Sequence, residues 1–291
     1  MTTPSRTTVE LAGRPVHRVG FGAMQLPGPG VFGPPRDRDA ALAVLRRAVE
    51  LGVDHIDTAQ YYGPDVSNEL IHTALFPYPE NLVFVSKVGG ARDDQGGWIP
   101  AQRPEDLRAG VEANLRSLEI ERIDAVNLRL MDEHVEAGSD HDVAFEDQLA
   151  EMIALRDEGK IGGIGLSTVT LEQLEKALAT TEIACVQNAY NLRMRDDQPV
   201  LDLCRERGIP YVPYFPLGSA FGVTPKVTED PAVISVAQRL GATPSQVGLA
   251  WVLAQGPDVL VIPGTSSIAH LEENLGAGDV VLDEEALAEL G

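Results

Sequence analysis

The sequence predicts an α/β fold, a (β/α)8 TIM barrel with a short N-terminal β-hairpin that closes its bottom. Short apolar runs alternate with amphipathic runs, with a spacing of about 30 residues. Several of the apolar runs are continuous, as parallel strands buried on both faces require. No low-complexity segment or linker divides the chain, so residues 1–291 are expected to form a single barrel domain.

The strands are predicted from these apolar runs, taken in chain order. The segment Thr7–Val16 precedes them and is typical of a hairpin that turns at Ala12-Gly13. The eight barrel strands are predicted at Val19–Phe21, Val53–Ile56, Leu82–Val85, Ile123–Leu128, Ile161–Leu166, Ala184–Gln187, Ile209–Phe215 and Val259–Ile262.

The helices are predicted from apolar residues at helical spacing and from end signals. Gly52 stops the helix at Asp37–Leu51. Pro, Glu and Asp open the helix at Pro104–Leu118 and suit the N-terminal end of the helix dipole. Thr170 and Gln173 have capping-box spacing at the start of a helix through Leu178. The other predicted helices are Val143–Arg156, Pro199–Arg207, Pro231–Leu240, Ser245–Gln255, Ile268–Leu275 and Asp283–Leu290.

A doubly wound sheet that binds a dinucleotide is the alternative fold. That fold requires a three-glycine fingerprint between a strand and a helix. Gly20–Gln25 and Gly163–Thr168 both lack the third glycine, so we reject it.

The composition limits the partners and the compartment. With 23 basic and 44 acidic residues, the net charge of −21 disfavours binding to nucleic acids and anionic membranes. The two cysteines, Cys185 and Cys204, fit a reducing compartment. Residues 1–6 lack the apolar core of a signal peptide, so a cytoplasmic location is expected. The acidic segment Asp132–Asp142 is interpreted as a solvated loop, and no metal site is expected.

Polar residues follow the predicted strands, at the end of a barrel where active sites lie. Tyr62 has a phenol that can give a proton to a forming alkoxide, and an ammonium at Lys87 is expected to lower its pKa. Asp57 is expected to orient Lys87. Proton donation alone achieves no redox chemistry, so a hydride source must bind at the same end of the barrel. The polar residues that converge there are Asp57, Tyr62, Lys87, Arg129, Ser167, Thr168, Gln187, Asn188 and Tyr214.

The order of these motifs, from about Val16 to the end of the chain, resembles the aldo-keto reductase family. The matching segments are Gly52–Gly63, Lys87, Ile164–Ser167, Gln187-Asn188, Ile262–Thr265 and Glu272–Leu275. The resemblance implies a barrel that binds NADP(H) in extended form, with Asp57, Tyr62 and Lys87 in the roles given above. It also implies that Ser167 and Gln187 hold the nicotinamide carboxamide and that Tyr214 stacks on its ring. The full implied cofactor site is Gly22, Ala23, Met24, Asp57, Ser167, Gln187, Tyr214, Phe215, Pro216, Leu217, Gly218, Pro263, Gly264, Thr265, Ser266, His270, Glu273 and Asn274.

Two positions depart from the family pattern. The family usually has a histidine five residues after the fourth-strand aspartate, where this chain has Arg129. A guanidinium donates hydrogen bonds but relays no proton, so Arg129 can polarise a carbonyl or pair with an anionic substrate group. A salt bridge from Arg129 to Asp132 or Glu133 is the structural alternative. Gly264 and His270 replace cations that many relatives place near the 2′-phosphate, so NADPH is expected and NADH is less firmly excluded.

Further motifs resemble the bacterial pyridoxal-reductase branch of the family, and pyridoxal is therefore the expected substrate. They are Gly22–Leu26, Gly30–Asp37, Val126–Arg129 and Pro263–Ser267. Arg129 would hold the ring phenolate of pyridoxal while Tyr62 protonates the carbonyl. A secondary-metabolite ketone is a competing substrate. A cofactor-sensing regulatory protein on the same barrel, and a lyase or isomerase that uses Lys87 as a Schiff-base amine, remain alternatives.

Overall fold

The N-terminal hairpin forms as predicted in the computed structural model, which describes residues 7–218 and 225–291. Residues 1–6, for which no signal peptide was expected, lie outside the described residues. Strands β1 (Thr8–Leu11) and β2 (Arg14–His17) pair antiparallel, and Ala12 and Gly13 have positive φ angles of 51° and 75°. A two-residue hairpin turn of this kind needs positive φ at both positions. Side chains of the hairpin pack against the barrel interior; these are Val9, Leu11 and Val16.

Six parallel strands form the wall of the barrel, in the order β3-β4-β5-β7-β8-β9. A further strand, β6, pairs antiparallel with β5 outside this order. The bounds are β3 Phe21–Gly22, β4 His55–Asp57, β5 Val83–Arg92, β6 Trp98–Ala101, β7 Ile123–Arg129, β8 Ile161–Ser167 and β9 Cys185–Gln187.

The predicted seventh and eighth strands close the ring through short bridges rather than continuous ladders. Val186 of β9 bridges to Tyr211, Tyr211 bridges to Val259, and Val261 bridges to Val19. The backbone amides continue this pattern, since Val212 donates to Val186 at 2.8 Å and Gly20 donates to Val261 at 2.9 Å. The predicted eight-position barrel is therefore confirmed, with its last two positions irregular.

Every predicted helix is present, with bounds that differ by at most two residues. The helices are α1 Arg38–Glu50, α2 Val66–Leu75, α3 Pro104–Leu118, α4 Phe145–Asp157, α5 Leu171–Thr180, α6 Gln198–Arg207, α7 Pro231–Leu240, α8 Pro244–Leu253, α9 Ile268–Leu275 and α10 Glu284–Leu290. Thr170 and Gln173 form the predicted capping box of α5. No helix within the described ranges is long and apolar enough to cross a membrane.

Helix α2 was not predicted from the sequence. Its buried face carries Ser67 and Asn68, which interrupt the apolar periodicity. Ser67 Oγ donates to the Ala23 carbonyl at 3.0 Å, and Asn68 Nδ2 donates to Asn114 Oδ1 at 2.9 Å. The helix therefore packs through hydrogen bonds that an apolar pattern cannot reveal.

The third barrel strand is longer than predicted. The sequence placed its end at Val85 with Lys87 just beyond, whereas β5 continues to Arg92 and includes Lys87. The extension pairs first with β7 and then with β6, so backbone pairing carries the strand past its apolar part. Trp98 lies in β6 directly opposite Arg92.

Candidate active site

A cavity of about 360 Å³ opens where the barrel strands end. Asp57 is the last residue of β4, Arg129 of β7, Ser167 of β8 and Gln187 of β9. All four predicted catalytic residues line this cavity. The complete lining is Gly22, Met24, Gln25, Asp57, Tyr62, Lys87, Trp98, Arg129, Ser167, Gln187, Tyr214, Phe215, Pro216, Leu217, Gly218, Ile262, Pro263, Gly264 and Asn274.

Asp57 and Lys87 form a buried ion pair in the cavity wall. Lys87 Nζ donates to Asp57 Oδ1 at 2.5 Å and to the Thr58 carbonyl at 3.2 Å. Both side chains are almost fully buried, so loss of either one would leave the charge of the other uncompensated in the interior. Lys87 Nζ lies 5.1 Å from the centre of the Tyr62 ring. The three residues are therefore brought together as the sequence predicted.

The pKa of Tyr62 is shifted in the direction opposite to our expectation. Burial and then the Asp57 carboxylate raise the pKa of Tyr62, and Arg129 opposes them. The prediction that this phenol has a lowered pKa is therefore wrong, because burial disfavours the phenolate and the Asp57 carboxylate adds to that effect. Tyr62 stays protonated at neutral pH, which suits a proton donor.

Gln187 carries an unsatisfied acceptor at the cavity. Its Nε2 donates to Asp57 Oδ2 at 2.9 Å, and the carboxylate fixes this orientation because it accepts only. Its Oε1 is buried and has no partner among the described residues. Ser167, a second polar group, also lines the cavity beside it in the register of β8 and β9. A carboxamide NH₂ would complete this pair, so the residues fit the nicotinamide end of a dinucleotide.

Arg129 forms no ion pair with a described carboxylate. The groups that act on its charge are the phenols of Tyr61, Tyr62 and Tyr214. Asp132 instead accepts a hydrogen bond from Gln173 Nε2 at 3.0 Å, so the alternative salt bridge to Asp132 or Glu133 does not form.

Tyr61 packs against Tyr62, with ring centres 5.5 Å apart, and Arg129 acts on the ionisation of both phenols. Its hydroxyl is buried without a well-formed hydrogen bond. Burial raises the pKa of Tyr61 to about 12, and Arg129 opposes that increase. Tyr61 therefore stays neutral and does not neutralise the guanidinium.

Some residues that the sequence assigned to the cofactor site lie away from this cavity. Ala23 is buried and its carbonyl accepts from Ser67, and Glu273 accepts from Thr243 Oγ1 at 2.6 Å. Ser266 lines a second cavity of about 400 Å³ that also contains Gln25. Thr265 and His270 line neither cavity, and their predicted roles stay predictions.

Two further polar residues that were predicted at this end of the barrel, Asn188 and Thr168, contact other groups of the protein. Asn188 is buried and bonds to the backbone of Val169 through both its amide atoms. Thr168 Oγ1 lies 3.4 Å from the Tyr214 hydroxyl.

The lining also includes residues that the predicted site omitted. Gln25 and Ile262 belong to the motif segments Gly22–Leu26 and Ile262–Thr265, which gave the available signal. Trp98 also lies in the cavity wall. The pairing of β6 with β5 brings it there, and this pairing has no local sequence signature.

Known proteins resemble this chain over nearly its full length. Residues 18–291 match the model of the aldo/keto reductase family. The chain is 46% identical over 289 residues to pyridoxine 4-dehydrogenase of Escherichia coli (strain K12), covering 98% of each. An aldo/keto reductase from Klebsiella pneumoniae in complex with NADP and acetate has a TM-score of 0.80 and 27% identity, covering 98% of this chain and 94% of its own. A structure from the same organism in complex with NADPH has a TM-score of 0.81, 27% identity and coverage of 100% and 94%.

Proposed function

The chain belongs to the aldo/keto reductase family, and we propose that it reduces the aldehyde of pyridoxal to an alcohol with NADPH. The family makes it an oxidoreductase that acts on small carbonyl compounds. The relative from E. coli supports pyridoxal, and the Klebsiella complexes support NADP(H). The observation that carries the proposal is the buried phenol of Tyr62 beside the Asp57–Lys87 ion pair, in one cavity with the unpaired Gln187 Oε1.

Tyr62 is the proton donor in this proposal. When bound, NADPH supplies a hydride to the carbonyl carbon and leaves as NADP⁺. Tyr62 gives its proton to the carbonyl oxygen, and solvent replaces that proton afterwards. One carbonyl compound, one NADPH and one proton therefore give one alcohol and one NADP⁺. Lys87 stabilises the phenolate that forms, and Asp57 holds Lys87 in place.

Other residues of the cavity hold the cofactor in this proposal. Gln187 Oε1 would accept from the carboxamide NH₂, and Ser167 would contact the same group. Tyr214 would stack on the nicotinamide ring, and residues 215–218 would lie along the pyrophosphate. The assignments at Thr265, Ser266, His270 and Glu273 extend this site toward the adenosine end.

The Schiff-base alternative is disfavoured by the surroundings of Lys87. A nucleophilic amine must be neutral. Lys87 Nζ is instead engaged as a donor in a buried ion pair with Asp57 Oδ1 at 2.5 Å and in a hydrogen bond to the Thr58 carbonyl at 3.2 Å.

We also propose a cytoplasmic location without nucleic-acid or membrane partners. Cys185 and Cys204 are free and buried, which is compatible with a reducing compartment. The net charge of −21 supports the exclusion of polyanionic partners.

Replacing Tyr62 by Phe tests the proposed donor. We expect kcat for pyridoxal to fall by about 10²-fold or more, because the carbonyl oxygen loses its acid. The Kd of NADPH, measured by quenching of protein fluorescence, should change less than about twofold. A variant that keeps most of its kcat would contradict the role of Tyr62. Tight NADPH binding by the wild type with negligible turnover on a carbonyl panel would support the cofactor-sensing alternative.

A further inference from the structure

Trp98, in the cavity wall, contacts two guanidinium groups. Arg92 Cζ is 3.9 Å from the centre of the Trp98 ring, and Arg129 Cζ is 5.0 Å from it. The edge of Tyr61 completes this cluster, with ring centres 5.5 Å apart. The distances from Arg92 and from Arg129 to the Trp98 ring are both within the range of cation–π attraction. Trp98 and Arg129 line the cavity, whereas Arg92 does not.

Arg129 is a permanent cation without an anion. The neighbours that act on its charge are phenols, and Tyr61 and Tyr62 have raised pKa values. The two undescribed segments contain no Asp or Glu in the sequence, so they cannot supply a carboxylate. A partly buried charge without a partner is costly, and a guanidinium cannot shed it by losing a proton. Although the chain has a net charge of −21, the guanidinium of Arg129 gives this part of the cavity wall a local positive charge that attracts an anionic ligand.

Arg92 links the β5–β6 hairpin to the loop before α1 through hydrogen bonds. Its Nη2 donates to the Gly30 carbonyl at 2.5 Å and to the Val31 carbonyl at 3.2 Å. Arg92 also stands directly opposite Trp98 in the antiparallel pair. These contacts hold the Arg92 guanidinium against the Trp98 ring.

We propose that this cluster selects aromatic aldehydes that carry an ionised oxygen beside the carbonyl, with Arg129 binding that oxygen, Trp98 packing on the ring and Arg92 as the positioning residue for Trp98. The inference rests on the proposed function and narrows it to a substrate class. Two observations favour an oxygen close to the carbonyl. Arg129 is near enough to Tyr62 to act on its ionisation, and both residues line the same small cavity.

A matched pair of aldehydes tests the selection. The hydroxyl of 2-hydroxy-5-nitrobenzaldehyde is ionised at neutral pH, whereas 2-methoxy-5-nitrobenzaldehyde has no ionisable group. We expect kcat/KM of the NADPH-loaded wild type to be about 30-fold higher for the hydroxy compound, with the product alcohol measured by chromatography. Arg129→Met should remove this preference through KM, and Arg129→Lys should retain part of it. Far-ultraviolet circular dichroism and the Kd of NADPH report whether each variant is folded.

The outcomes separate this inference from the proposed function. Equal kcat/KM on both aldehydes in the wild type, or an equal loss on both in Arg129→Met, would overturn the inference alone. A wild type that binds NADPH and reduces neither aldehyde nor pyridoxal would overturn the proposed function, and the inference with it.

A second set of variants tests the positioning role of Arg92. Arg92→Met should raise KM for the hydroxy compound about fivefold with kcat nearly kept, because one flanking contact of Trp98 is lost. Arg92→Lys should restore most of that affinity. Arg195 is the matched control, since its Cζ lies 4.6 Å from the centre of the Trp251 ring, in α8, and it does not line the cavity. Arg195→Met should leave the preference between the two aldehydes unchanged. No change in KM with Arg92→Met, or the same change with Arg195→Met, would overturn the positioning role.

Discussion

Asp57 is the residue on which the other polar groups of the cavity depend. It accepts hydrogen bonds from Lys87 and from Gln187, one at each carboxylate oxygen. One side chain therefore links the acid–base residues to the predicted carboxamide site. Burial, and then the Asp57 charge, raise the pKa of Tyr62, so the proposed donor stays protonated. The sequence could place these residues at one end of the barrel, but it could not predict that burial would raise the pKa of the phenol.

The raised pKa of Tyr62 predicts different pH profiles for the two directions of the reaction. A tyrosine donates in its protonated form, which persists beyond its ordinary pKa of about 10 when that pKa is raised. With the methoxy aldehyde, which does not titrate, kcat for reduction should stay flat from about pH 7 to about pH 9.5. Oxidation of the product alcohol needs the phenolate, so its kcat should rise about tenfold per pH unit. Steady-state kinetics over this range, at saturating cofactor, measures both slopes. A reduction rate that falls with an apparent pKa below about 9 would contradict this assignment.

At the level of elements, helix-capping residues and the spacing of apolar residues were sufficient to predict most helices and strands from the sequence. Pro104–Leu118, Pro231–Leu240 and Ile268–Leu275 have their predicted bounds, because caps and an apolar face act within one segment. The β5–β6 hairpin was not predictable in this way, because β6 is defined by its pairing with β5. The same reason explains why Trp98 was left out of the predicted site. At the adenosine end, sequence motifs name residues but not which cavity they face, as Ser266 illustrates.

The close approach of β5 and β7 places Arg129, and Gly89 makes it possible. Gly89 has φ = 101°, and a Cβ there would lie 2.2 Å from the Arg129 carbonyl oxygen. Gly208, after α6, also has positive φ (64°) but has open space around it. Gly208→Ala should therefore lower the free energy of unfolding by about 1 kcal/mol from backbone strain alone. Gly89→Ala should cost about 2 kcal/mol more and raise KM for pyridoxal, since β7 must shift. Urea unfolding and steady-state kinetics test both variants, and equal losses of stability would contradict the packing argument.

At the scale of the whole molecule, the barrel joins residues that are far apart in the sequence. Val19 pairs with Val261, and one apolar cluster includes residues from Val19 to Leu290. The N-terminal hairpin packs in a second apolar cluster, with side chains of the barrel strands such as Val83, Ala125 and Leu260. The N-terminal and C-terminal parts of the chain therefore share one barrel, and neither part can bury its apolar side chains without the other. This is the physical basis for proposing that residues 1–291 form one domain.

A single domain predicts that distant probes report one unfolding transition. The chain has two tryptophans, Trp98 at the cavity and Trp251 in α8, so the variants Trp98→Phe and Trp251→Phe each leave one fluorescent probe. In urea, the fluorescence midpoint of each variant should coincide with the midpoint of its own far-ultraviolet circular dichroism. Comparison within each variant cancels any change of stability caused by the substitution itself. If Trp98 reported an earlier transition than the circular dichroism while Trp251 did not, the β5–β6 hairpin would unfold separately from the barrel. A split of both signals into two steps would contradict the single-domain proposal, because a ring closed through Val19 and Val261 cannot lose one half and keep the other.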